Sequence, residues 1–214
     1  MPDNGRMGTS GIILIGGGGH AKVVFDALRD GDAGVRGFVD DSAHCALSGV
    51  LEHLGGVAGV DREHPVIVAI GDVATRRRVL GQIEGARVSG PVIHPSAVVS
   101  PSALLGDGVF VGPGAIINAD ARIEAHAIVN SGAIVEHDCR VGVNTHVAPG
   151  CVLGGGAVIG DDTLVGLGAR VLPGVKIGAG CVVGAGAVVV ESVETGATVV
   201  GVPGREKKGL GIGD

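Results

Sequence analysis

The residues in this sequence best suited to acid–base chemistry are His137 and Asp138, in the run Glu136-His137-Asp138-Cys139. Imidazole titrates near neutral pH, and an adjacent carboxylate fixes its tautomer and raises its basicity. Such a pair suits removal of a proton from an attacking nucleophile. Neighbours on an extended strand point to opposite faces, so the pair needs a turn at this place. His146 follows nine residues later, and Asn130 precedes His137 by seven. His44, His53 and His64 fall in irregular segments and read as solvated, His94 opens a His-Pro-Ser segment, and His126 reads as exposed. No Ser or Cys is poised as a nucleophile, so direct transfer without a covalent intermediate is expected.

A second chemical signal lies near the start. The apolar run Ile12–Ile15 leads into Gly16-Gly17-Gly18-Gly19-His20-Ala21-Lys22, and a helical pattern follows at Val23, Val24, Ala27 and Leu28. Gly16 and Gly18 let backbone N–H groups approach a phosphate at the start of that helix. Asp40 lies about twenty residues on, at the end of a second strand over Val35–Val39, where such folds place a ribose-binding acid; Asp41 follows it. Val66–Ile70 reads as a third strand ending in Gly71-Asp72, and residues 42–64 are too irregular to assign. The order implies a small parallel sheet over 12–90, half of a dinucleotide-binding fold. That is room for a nucleotide or nucleotide sugar, and too little for full NAD binding.

The element that must carry His137 repeats every six residues. From Ile93 to Thr195, 17 of 18 hexads begin with Ile, Leu or Val, and the fifth position is always Ala, Val, Thr or Cys. Only a parallel β-helix of hexapeptide repeats produces that period. It runs as about six coils from Ile93 to Val200 with no inserted loop, after a junction at Gly90-Pro91. Gly fills the second position in nine hexads and is read there as serving turns with unusual backbone angles. Cys139, Cys151 and Cys181 share the fifth slot with Ala and Thr, which makes them packing residues. His146 is half a coil beyond His137, so the two occupy different faces of one tube and meet only across a subunit boundary. His126, His137 and His146 lack a coil-related spacing, which argues against a three-histidine zinc site and the hydratases that use one.

Composition agrees with a repeat architecture: 214 residues with 42 Gly, three Phe and no Trp or Tyr. The net charge of −6 argues against nucleic acid, and the one basic run, Arg76-Arg77-Arg78, reads as a single helix face. No apolar stretch is long enough to span a membrane. Residues 1–11 read as a disordered segment without a secretory signal, and 205–214 as a tail. Four cysteines without CxxC or zinc spacing suit a cytoplasmic protein with reduced thiols.

Taken together, Gly-Gly-Gly-His-Ala-Lys-Val-Val, Phe-Val-Asp-Asp, Ala-Ile-Gly-Asp, His-Pro-Ser-Ala, Ile-Asn-Ala, Val-Glu-His-Asp-Cys and Val-Gly-Val-Pro-Gly span nearly the whole chain. They resemble bacterial nucleotide-sugar N-acetyltransferases of the bacillosamine and perosamine type, grouped with sialic acid O-acetyltransferases. The resemblance implies an α/β Rossmann-like half domain (12–90) followed by a left-handed parallel β-helix of hexapeptide repeats (91–204). It implies a homotrimer with sites between tubes, acetyl-CoA as co-substrate and no metal. His137 then matches the catalytic base and Asp138 its acidic partner. His146 matches a histidine at the acetyl-CoA end, and Asn130 an asparagine near the sugar amine. Gly16, Gly18 and His20 match the pyrophosphate loop, and Asp40 with Asp41 the acids near the nucleoside. Gly155 is placed against CoA. The expected reaction is acetylation of the C4 amine of a nucleotide-linked 4-amino-4,6-dideoxy sugar for cell-surface glycan synthesis, with UDP, GDP and dTDP all open. The alternative is O-acetylation of a sialic acid or another sugar hydroxyl.

Overall fold

The computed structural model describes residues 11–29 and 34–207. Nearly all of the 1–11 segment therefore lies outside the described residues. Gly11 is within them and sits against the Arg36 backbone so closely that a Cβ would not fit.

Three parallel strands form the first sheet: β1 (Ile12–Ile15), β2 (Val35–Val39) and β3 (Val66–Val68), in the order β2-β1-β3. The apolar β1 run is buried on both faces, as a central parallel strand requires. Helix α1 (Gly19–Arg29) connects β1 to β2 and buries Ala21, Val24, Ala27 and Leu28. Helix α2 (Val73–Gln82) follows β3, its first turn capped by the Asp72 carboxylate, which accepts from Thr75 N–H at 2.7 Å. The strand order changes direction beside β1, so the carboxyl edge of the sheet offers the usual ligand crevice of open α/β sheets.

From Val92 to Val200 the chain winds as a left-handed β-helix with three parallel faces. Strands of two residues recur on each face every 18 residues: the first face carries Phe110, Ile128 and His146, the second Ile116 and Ile134, the third Arg122 and Arg140. First- and fifth-position side chains fill the tube. Polar ones among them are satisfied by one repeated bond to the next coil. Thr145 Oγ1 donates to Gly160 O at 2.7 Å, Thr163 to Gly178 O at 2.9 Å, Cys139 Sγ to Gly154 O at 3.1 Å and Cys151 Sγ to Gly166 O at 3.0 Å. The cysteines are thus packing residues, as their slot predicts.

Three sequence expectations need correction. Eight of the nine second-position glycines do not serve unusual angles but relieve crowding between coils; only Gly196, in the irregular last coil, has a positive φ of 77°. A Cβ at Gly160 would lie 2.5 Å from Ala179 N, and one at Gly154 would lie 2.6 Å from Pro173 N. The left-handed residue is the fourth of each hexad, at fourteen successive hexads from 108 to 186; nine are Gly, and five are Asp120, His126, Asp138, Asn144 and Asp162. Second, the last coil is two residues short. Val193 bridges Ile177, and Val199 pairs with Val183, a spacing of 16 where 18 is expected. The Cys181 bond shifts with it, to Glu194 O, and this is why Thr195 breaks the aliphatic period. Third, part of the expected tail pairs: Arg205–Glu206 adds an antiparallel strand to Thr198–Val200. The rest of that tail, 208–214, lies outside the described residues.

The sheet domain covers one end of the tube's first face. Val92, Phe110 and Ile128 point outward there and are buried against Leu14, Ala21, Val24, Phe38, Leu47, Ile67 and Ala69. Each large apolar side chain so covered contributes about 1.5–3 kcal/mol. Next in the same outward column stands His146.

Candidate active site

Asp138 is a left-handed residue, φ 61°, at the corner between the second and third faces. That turn removes the strand objection: His137 Nδ1 and Asp138 Oδ2 lie 2.7 Å apart. Hydrogen bonding to Asp138 raises the His137 pKa above the ordinary 6.5 against desolvation, with lesser help from the charges of Asp138 and Glu136. The ring projects outward and is exposed, its Nε2 side lying against Gly155 one coil on. A Cβ at Gly155 would lie 2.6 Å from Nε2, so only glycine leaves the imidazole in place. The ladder between coils uses the amides of Gly154 and Gly156 and leaves that of Gly155 outside it. Glu136 accepts from Asn118 Nδ2 at 3.0 Å.

His146 is elsewhere, on the first face, with its ring enclosed at the junction of the two domains. Its Nδ1 lies 2.9 Å from Gly71 O, and its Nε2 lies 3.0 Å from Asn130 Nδ2. A carbonyl accepts and an amide donates, so the ring is the neutral Nδ1–H tautomer. Burial and the nearby Arg76 guanidinium pull its pKa down to about 4. Asn130 is buried, and its Oδ1 accepts from Ser131 N at 2.8 Å. His137 and His146 do not meet within one chain. The corner carrying His137 is opposite the face carrying His146.

The glycine loop ends at the same junction. Gly16 has φ 102°, and a Cβ at Gly17 would strike Cys45 and Phe38. Gly18 and Gly19 face open space, and the first N–H groups of α1 have no partner within the helix. His20 packs edge-on against Phe110 at 5.4 Å and lies 6.3 Å from His146 by ring centres. Burial, with the charges of His146 and Arg76, brings it to about 4. Asp40 holds the loop, its carboxylate accepting from Gly17 N and Ser42 N, both at 2.8 Å. Asp41 accepts from Val57 N at 3.0 Å. Both acids therefore shape the crevice through backbone amides.

Arg76, Asn144 and Asp162 were not apparent as site residues in the sequence. The basic run is not one helix face: Arg76 is 1% exposed, Arg77 pairs with Asp162 at 2.7 Å, and Arg78 is exposed. His126, Asn144 and Asp162 form one column of left-handed corners that faces α2. His126 is accordingly half-buried rather than exposed, its Nδ1 enclosed beside Gly108. The readable signal was a non-glycine residue where glycine is the easier choice. Beside this column an open groove of about 920 Å³ passes from Gly71, Asp72 and Ala74 over His146 to Leu164, Gly166, Val182 and Gly184. Among the described residues no group of three His, Cys, Asp or Glu side chains is placed to hold a metal ion. His53 stacks on Phe38, His64 pairs with Asp61, and His94 Nδ1 accepts from Ser96 N to start the first coil.

Residues 11–83 match the PglD N-terminal domain, 132–160 the hexapeptide repeat of succinyl-transferase, and 156–190 the bacterial transferase hexapeptide. The chain is 40% identical to a histidine-to-alanine mutant of GDP-perosamine N-acetyl transferase from Caulobacter crescentus, solved in complex with CoA and GDP-perosamine. The match covers 96% of this chain and 100% of that one, with a TM-score of 0.86. The acetyltransferase domain of PglB from Neisseria gonorrhoeae, in complex with acetyl coenzyme A, is 32% identical over 94% of this chain and 100% of that one, with a TM-score of 0.86. WeeI from Acinetobacter baumannii is 25% identical over 93% and 100%, with a TM-score of 0.81. No curated protein matches the sequence significantly. Full-length identity of this order, with matching models for both halves, means that the chain belongs to the bacterial nucleotide-sugar N-acetyltransferases of the perosamine and bacillosamine type.

Proposed function

We propose that this protein transfers acetyl from acetyl-CoA to the C4 amine of a nucleotide-linked 4-amino-4,6-dideoxy sugar. The observation that carries the reading is the exposed His137, its Nδ1 held by Asp138 and its other edge open beside Gly155. It stands in a chain that matches, end to end, an enzyme solved with CoA and GDP-perosamine. The nucleotide is held by the Gly16–Gly19 loop and the start of α1, which directs the sugar toward the junction with the tube. His137 Nε2 takes a proton from the amine as its nitrogen attacks the thioester carbonyl. The C–N bond forms, the C–S bond breaks, and the proton passes on to the departing thiolate. The free Gly155 amide is suited to the oxyanion or to CoA.

The assembly in this reading is a homotrimer. His137 at one corner and His146 on the opposite face form one site when the corner of one tube meets the first face of the next. That contact is heterologous, and such contacts close into rings. Surface chemistry agrees. Outward side chains on the second face include Ile116, Ile134 and Val152, whereas the third face exposes Arg122, Arg140 and Lys176. Two faces suit contact and one suits water. Among the described residues no helix is long and apolar enough to cross a membrane. A cytoplasmic enzyme of cell-surface polysaccharide synthesis fits a nucleotide-sugar substrate.

The test is incubation of purified protein with acetyl-CoA and GDP-, UDP- and dTDP-linked 4-amino-4,6-dideoxy sugars, followed by mass analysis. An acetylated product that survives hydroxylamine is the expected amide. A hydroxylamine-labile product would show O-acetylation instead, and no product from any of the three would overturn the reading.

A further inference from the structure

The most elaborate polar contact between the two domains centres on Arg76, which neither touches the groove residues' open side nor pairs with an acid of its own helix. Its Nη1 donates to Ile70 O at 2.8 Å and Gly71 O at 3.0 Å, its Nε to Asn144 Oδ1 at 2.6 Å and its Nη2 to Asn144 O at 2.7 Å. Asn144 is held in turn: its Nδ2 donates to Val73 O at 3.1 Å and Asp162 Oδ1 at 2.7 Å. Every Arg76 bond is to a carbonyl or amide oxygen, and the planar guanidinium fork locks them together. The Gly71 carbonyl is the shared point. It accepts from Arg76 on one side and from His146 Nδ1 on the other.

We propose that Arg76 is a positioning residue for acetyl transfer, acting through His146. It pins the Gly71 carbonyl that selects the Nδ1–H tautomer, and its charge adds to burial in keeping that ring neutral. The imidazole then presents an unprotonated Nε2 toward Asn130 and the groove. Docking of the nucleotide-binding half and the state of the histidine on the tube are thereby one event. This rests on the acetyl-transfer reading for its catalytic consequence, but its structural core does not. The charged and titratable groups around His146 are His20 from α1, Asp72 and Arg76 from α2 and the turn before it. The hydrogen bond to the Gly71 carbonyl and the Asp72 charge favour the protonated ring, and burial with the Arg76 charge outweighs them.

The experiment is ¹⁵N NMR of histidine-labelled full-length protein, wild type, Arg76→Met and Arg76→Lys, each titrated from pH 8 downward. His146 is assigned by its loss in His146→Ala. In the wild type its Nδ1 carries the proton, and the ring resists further protonation to well below pH 6. Arg76→Met should raise that titration by about one unit and mix the tautomers. Arg76→Lys retains the charge and should restore the low titration while leaving the tautomers mixed, even if Arg76→Met does not fold. In kinetics, Arg76→Met should lower kcat more than it changes KM for the nucleotide sugar. The double variant with His146→Ala should then be no worse than His146→Ala alone. Unchanged His146 spectra in both Arg76 variants, or strictly additive losses, would overturn the proposal. A wild type without acetyl-transfer activity but with these spectra would sink only the functional reading.

Discussion

At the residue scale, the candidate site depends on a left-handed turn that sets a carboxylate beside an imidazole. Asp tolerates φ 61° better than most side chains because its short carboxylate bonds locally. Here that carboxylate raises the His137 pKa. The sign of the consequence is definite. A base with a raised pKa is protonated and idle below it, so the acid limb of kcat/KM should fall at a pH above the ordinary imidazole value. Asp138→Asn removes the cause and should move the limb toward lower pH while reducing the plateau rate; pH–rate profiles of the two proteins check this. Gly155→Ala offers a cleaner separation. The clash is with the end of a movable side chain, so melting temperature should stay within a degree or two while kcat falls at least tenfold as the imidazole swings away. His137 was evident in the sequence because its neighbours are charged. Its open edge at Gly155 was not, since contact across 18 residues becomes visible only once the coil pitch is known.

At the element scale, the tube distributes its left-handed positions by use. Gly fills one column of corners, at 114, 132, 150, 168 and 186. Three of the five residues that incur the left-handed cost of about 1–2 kcal/mol stand where the side chain makes a bond: Asp138 beside His137, and Asn144 and Asp162 beneath α2. The six-residue period was legible over the whole tube because first and fifth positions face inward on every coil. The purpose of fourth-position residues was not, because it depends on where a second domain docks. Likewise the missing two residues after Val189 leave the composition unchanged and shift only the register. The docked junction carries a pH prediction. His20 and His146 both have folded pKa values near 4 against 6.5 unfolded. Below pH 6.5 the unfolded chain binds protons that the folded one refuses. Stability should therefore be steady above that pH and decline as pH falls from 6.5 toward 4. The loss is on the order of 3 kcal/mol for each ring taken alone. Urea midpoints across this range measure it, and His146→Asn should flatten the slope.

At the scale of the whole molecule, the proposed function leaves neither half with a complete site. The sheet domain offers a glycine loop, the tube offers His137, and the groove beside His146 faces away from that histidine. A site shared between chains makes a specific demand. His137→Ala and His146→Ala should each be poorly active alone. Random mixed trimers should regain about a quarter of wild-type activity, because one interface in each mixed ring pairs two intact histidines. Co-expression with differently tagged chains tests this, and no regain would place the whole site within one chain. Steady-state kinetics of His137→Ala decide whether His137 is the base in acetyl transfer. The assay uses acetyl-CoA and the nucleotide-linked amino sugar that the wild type turns over. Loss of the base should lower kcat by roughly a hundredfold or more with an unchanged oligomer and nearly unchanged affinity for the nucleotide sugar. Turnover close to wild type in that variant would contradict that role.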